Sequence, residues 1–150
     1  MKPRRFQVST RATGHLRVCK VVVFDNAAQM RAHTYRYLRA DFPGEYDQAA
    51  GITLYRQNWA DKDPRPFQAT IYLNRDDLTL TLIAHEATHA AMHFYSIDGY
   101  RNNARASAHL TGDNEQVAHA MSELFSGIVW HFDTHVTPIG EGVDYEPVIS

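Results

Sequence analysis

Apolar and polar positions along the chain fall into a short series of periods. Val18–Phe24 is a β-branched, apolar run that predicts a buried strand. Asp25 or Asn26 then caps a helix to about Ala40, with Met30, Thr34, Tyr37 and Leu38 along one side. Pro43-Gly44 ends it. Ile52–Asn58 sets Ile52 and Leu54 against Thr53, Tyr55 and Gln57, as a half-buried strand does. The prolines of Asp61–Pro66 mark a turn. In Phe67–Asn74, Phe67, Ala69, Ile71 and Leu73 share one face, and Gln68, Thr70, Tyr72 and Asn74 the other. Asn74-Arg75-Asp76-Asp77 offers a cap for a helix over about Asp77–Tyr95, its aspartates suiting the positive end of the helix dipole. The polar Ser96–Gly112 reads as a long loop. Asp113 or Asn114 caps a last helix to about His131, with Val117, Met121, Leu124 and Ile128 as its apolar stripe. From about residue 137 the tail, with its glycines and prolines, is expected to be irregular. Strand, helix, two strands, helix, helix: this order predicts a single α+β domain over residues 1–150, with a small mixed sheet.

The chemistry concentrates in His85-Glu86-Ala87-Thr88-His89. Four residues of helix turn through about 400°, so both imidazoles share one face and can bind one metal ion. Glu86 lies on the flank of that arc, within reach of a metal-bound water without being a ligand. Nitrogen and oxygen donors with an open position suit Zn2+.

A tight zinc site needs a third protein ligand. Downstream candidates are Asp98, His109, Asp113, Glu115 and His119. Glu115 is preferred, because it opens a helix that can stand beside the first. Around that helix Glu115, Ala118, His119 and Ser122 share a face, and the small Ala118 and Ser122 would permit close approach. His119 is the alternative ligand or a group acting on the reaction's oxyanion. Tyr72, His93, Tyr95, Tyr100 and His109 are further candidates for that donor. His131 and His135 also stand four apart, but a helix ending near His131 would separate them.

His85-Glu86-x-x-His89 followed by Asn114-Glu115-x-x-Ala118 resembles the gluzincin zinc metallopeptidases, and most closely the minimal ImmA/IrrE-like class. There a short strand precedes the metal helix, a further histidine often follows by four (His93 here), and the third-ligand helix reads Glu-x-x-Ala with a later phenylalanine. The resemblance covers about Phe67–Ile128. Where larger gluzincins carry an aspartate four residues after the ligand glutamate, this chain has His119. The resemblance implies a zincin-like fold, its sheet packed on an HExxH helix and a third-ligand helix. It implies one zinc held by His85, His89 and Glu115, with Glu86 as the base that activates the zinc-bound water for peptide hydrolysis; among the candidate oxyanion donors, which the resemblance leaves open, His119 is preferred. It also implies that the strand over residues 68–74 lines the cleft and pairs with an extended protein or peptide substrate.

Composition narrows the remaining choices. A net charge of -2 argues for neither a nucleic-acid nor a membrane partner. Lys2, Arg4, Arg5, Arg11, Arg17 and Lys20 make the first twenty residues basic, and Asp133, Glu141, Asp144 and Glu146 make the tail acidic. Such termini are solvated, pair with each other, or dock on a partner. One cysteine, Cys19, allows no internal disulfide. Met1–Thr10 has no apolar signal core, so cytoplasmic action, or delivery within a phage or other assembly, is expected. The leading expectation is a metalloendopeptidase of narrow intracellular substrate range. The alternative is a catalytically silent zinc-binding module, regulatory or part of a virion, on the same fold.

Overall fold

In the computed structural model the described residues are 2–38, 44, 46–55, 67–102 and 114–135. They form a mixed α+β arrangement: β1 (Arg4–Thr10), β2 (Arg17–Phe24), α1 (Ala27–Leu38), β3 (Ile52–Tyr55), β4 (Phe67–Asn74), α2 (Leu80–Asn102) and α3 (Asn114–His135). The four strands make one mixed sheet in the order β1-β2-β4-β3, with β2 and β4 parallel and the outer pairs antiparallel. No helix among the described residues is long and apolar enough to cross a membrane.

Side-chain alternation on the strands builds two apolar layers. Cys19, Val21 and Val23 of β2 join Ala69, Ile71 and Leu73 of β4 on one face, where Ala87, Ala90, Ala91 and Phe94 of α2 and Ala120, Leu124, Ile128 and Phe132 of α3 cover them. Val22, Phe24, Ile52 and Tyr72 face the other way and pack on Met30 of α1. β4 is therefore buried on both faces, which is why the polar-looking Tyr72 and Asn74 are inside. The same geometry raises the Cys19 thiol to about 12, through burial, and leaves it an unreactive core residue.

The boundaries follow from capping. Asn26 accepts the Gln29 amide at 2.9 Å and starts α1. The predicted cap of α2 shifts. Asn74 accepts the Asp77 amide at 3.1 Å in a turn, while its own amide donates to the Ala50 carbonyl at 2.8 Å. The helix starts later, where Thr79 accepts the Leu82 amide at 3.0 Å, and its first turn holds no acid. Asn74 thus ties the end of β4 to both the entry of β3 and the approach to α2.

β1 is a strand that no hydrophobic period announces, since only Phe6 and Val8 are apolar among alternating polar residues. Its pairing with β2, closed by a turn with Gly14 at φ 104°, makes it a strand. α2 runs on to Asn102, through residues expected in a loop, because Ile97 and Asp98 are buried. α3 runs past His131 to His135, since Phe132 packs in the core. The expected turn at 61–66, the loop over 103–112 and the irregular tail lie outside the described residues.

Candidate functional site

α2 puts His85 and His89 on its exposed face, with their Nε2 atoms 3.1 Å apart. Two nitrogens bound about 2.0–2.1 Å from one tetrahedral zinc stand roughly 3.3 Å apart. The pair lies slightly inside that separation, at the distance of a hydrogen bond between the two rings. One residue of helix rotates Glu86 by about 100° from His85, turning it toward the sheet. There it is only 4% exposed, and its Oε2 accepts a short hydrogen bond from the Thr53 hydroxyl of β3.

β3 frames this flank. Ile52 and Leu54 face the α1 layer, as their apolar character dictates, so Thr53 and Tyr55 turn toward α2. The Tyr55 ring stacks on His93 at 4.4 Å, one turn beyond His89. Burial, then the Arg17 guanidinium, lowers His93 to about 4. An exposed histidine in the unfolded chain titrates near 6.5. The stability contributed by the neutral ring is complete above about 6.5. It is lost as pH falls from there toward 4, because only the unfolded chain binds the proton in that window. The urea midpoint of the protein should accordingly drop more steeply between pH 6.5 and 4 than that of His93→Phe. Parallel curves would show that His93 titrates normally.

The other sequence candidates are distributed differently. Asp98 is 1% exposed and engaged by the Arg17 guanidinium and by Thr13, so it is not free to be a ligand. Glu115 and His119 stand 3.4 Å apart on the first turns of α3, with side chains 85% and 70% exposed. Among the described residues no three histidine, cysteine or acidic side chains gather at metal-binding separations. The structure thus brings together His85 and His89 and turns Glu86 from the next helix position toward β3, and it brings neither Glu115 nor His119 to them. The reason is the packing of α3. Ala120, Leu124, Ile128 and Phe132 are its buried stripe. At 100° per residue, Glu115, Ala118, His119 and Ser122 point roughly 150° away from that stripe, and all four are exposed. The close approach expected through Ala118 and Ser122 does not occur.

Tyr72 lies on the opposite side of the sheet, edge-on to Phe24 and His33, and Tyr95 is buried, which removes both as oxyanion donors. His109, Asp113 and the Tyr100 side chain lie outside the described residues. His131 stacks on Phe6 at 4.0 Å, a contact between α3 and β1. β4, the strand expected to pair with substrate, is interior: β2 occupies one edge and β3 pairs with Ala69–Tyr72 on the other. Among the described residues, the free edge beside α2 belongs to β3. Two further residues border Glu86: Thr53 donates to its carboxylate, and Gly51 lies against its side chain; their only sequence signal is a threonine between two inward apolar residues and a glycine just before the strand.

Comparison with protein-family models, curated proteins and solved structures finds no match for this chain.

Proposed function

We propose that the protein is a zinc-dependent peptidase in which His85 and His89 hold the metal and Glu86 is the general base. The observation that carries this reading is the exposed histidine pair at 3.1 Å, with the carboxylate of the intervening Glu86 held in place by Thr53. A purely structural zinc would need no such carboxylate. Zinc bound there supplies a Lewis acid that acidifies water and polarises a carbonyl. Glu86 accepts the proton of the attacking water and returns it to the departing amine. An extended substrate segment pairs along the outer edge of β3, the strand next to the histidines, with backbone hydrogen bonds holding it in place. Intracellular proteins, in a narrow range, are the proposed substrates.

The zincin-like assignment of the fold belongs to the same proposal, supported by a mixed sheet lying against the histidine-bearing helix. The third donor is open to direct test. Glu115 is the residue the motif resemblance selects, and Glu115→Ala should weaken zinc binding if it completes the site. Unchanged affinity would assign it to solvent, where the packing of α3 holds it.

A second reading, a silent zinc-binding regulatory or virion module, has one observation in its favour: Glu86 is buried and hydrogen-bonded, as a structural carboxylate would be. Elemental mass spectrometry of untagged protein, with cleavage of an unfolded polypeptide library, separates the possibilities. The peptidase reading expects about one zinc per chain and cleavage that a chelator stops and zinc restores. His85→Ala and His89→Ala should each abolish both. A chain that stays folded and metal-free in excess zinc would overturn the site. Full zinc occupancy without cleavage would favour the silent module.

A further inference from the structure

We infer that Thr53 and Gly51 position the Glu86 carboxylate, making β3 and the residue just before it part of the reaction apparatus. The catalytic part of this inference rests on the peptidase reading.

Two independent observations converge on one side chain. A carboxylate only 4% exposed has lost most of its hydration and needs a donor in compensation. The Thr53 hydroxyl supplies it to Oε2. Threonine is branched at Cβ and therefore stiff about χ1, so a strand-borne threonine presents its hydroxyl in a fixed direction. Gly51 supplies space. A Cβ there would stand 3.0 Å from Glu86 Cγ, 3.1 Å from Oε1 and 3.1 Å from Leu82 Cδ1. The φ of Gly51 is outside the left-handed region, so its backbone would accept alanine. The missing side chain, not backbone freedom, is what this position provides.

Together the contacts fix the carboxylate, Oε2 by the Thr53 hydroxyl and Oε1 in the space that Gly51 leaves open. A general base must lie within hydrogen-bond reach of its proton, and a displacement of about 1 Å can cost roughly a hundredfold in rate. Among the described residues β3 also carries the unpaired edge on which the substrate segment is proposed to pair. Strand addition would stiffen the element that holds the base, so docking and base orientation are coupled through Thr53.

The test is steady-state kinetics on the full chain loaded with zinc, using one cleaved peptide from the library. Thr53→Val should lower kcat roughly 10- to 100-fold, with KM and zinc content unchanged. Thr53→Ser should restore most of the loss. Gly51→Ala should produce a similar fall in kcat with the hydroxyl still present, which guards against a misfolded Thr53→Val. An unchanged kcat in Thr53→Val and Gly51→Ala, with the parent protein active, would overturn the positioning role and leave the peptidase reading standing. Equal impairment in Thr53→Val and Thr53→Ser would also overturn it. A zinc-loaded parent protein that cleaves nothing would instead defeat the peptidase reading, and the catalytic role of Thr53 with it.

Discussion

Under the proposed peptidase reading, Glu86→Gln should abolish peptide hydrolysis while leaving fold and zinc content intact. Glutamine keeps the volume of the side chain and an oxygen to accept the Thr53 hydroxyl, so the buried contact survives. It removes the ability to take up a proton from water. General-base contributions are on the order of 10²–10⁴ in rate, and the loss should fall on kcat, with KM little changed. His85 and His89 are unaffected and should retain zinc. Stopped assays with parallel elemental analysis make the comparison. Surviving activity would mean that another group activates water, or that cleavage comes from a contaminant. Loss of zinc or of cooperative unfolding would mean that the carboxylate is structural, and the silent-module reading would gain.

Asp98→Ala should be strongly destabilising. The Asp98 and Arg17 side chains are 1% and 7% exposed, and the guanidinium donates to both carboxylate oxygens. Thr13, in the turn between β1 and β2, donates to the same carboxylate. Removing the acid leaves a guanidinium charge buried with no counter-charge and a hydroxyl without its acceptor. Breaking one half of a buried pair costs about 3–5 kcal/mol, a large share of the roughly 5–15 kcal/mol that holds a domain together. Replacing both charges, as Arg17→Met with Asp98→Leu, should recover much of that loss, because no unpaired charge remains. Urea unfolding of the two variants tests this. A small effect of Asp98→Ala would show that water reaches Arg17. The pair has a positional consequence too: it anchors the β1–β2 turn to the part of α2 beyond His93, fixing the helix that carries the histidines.

Much of the fold was legible because burial here follows local period. Val18–Phe24 and Phe67–Asn74 are strands in the structure, and Val117, Met121, Leu124 and Ile128 lie on the inner side of α3. β1 was hidden because a strand with two apolar residues becomes a strand only through its partner. The late start of α2 was hidden because two capping segments compete within six residues, and the Asn74 side chain is drawn into contacts with Ala50 and Asp77.

The candidate site divides in the same way. The helical period of His85 and His89 is a local property, and it determines their shared face and their spacing without any tertiary contact. It likewise set Glu86 on the flank. For α3, the sequence held the apolar stripe and the Glu115 face together, and a helix can turn only one of them inward. Burial of Ala120, Leu124, Ile128 and Phe132 decided it. Which strand borders the histidines, and what holds Glu86, was left to the tertiary structure. Strand order is set by pairing between segments distant in the chain, and the Thr53–Glu86 contact joins residues 33 positions apart. No period within either segment encodes it. The sequence by itself determined the α+β class and the histidine–glutamate constellation, because both arise from repeats of a few residues. The free edge, the carboxylate clamp and the outward turn of Glu115 came only from packing, because each depends on which faces of distant elements exclude water together.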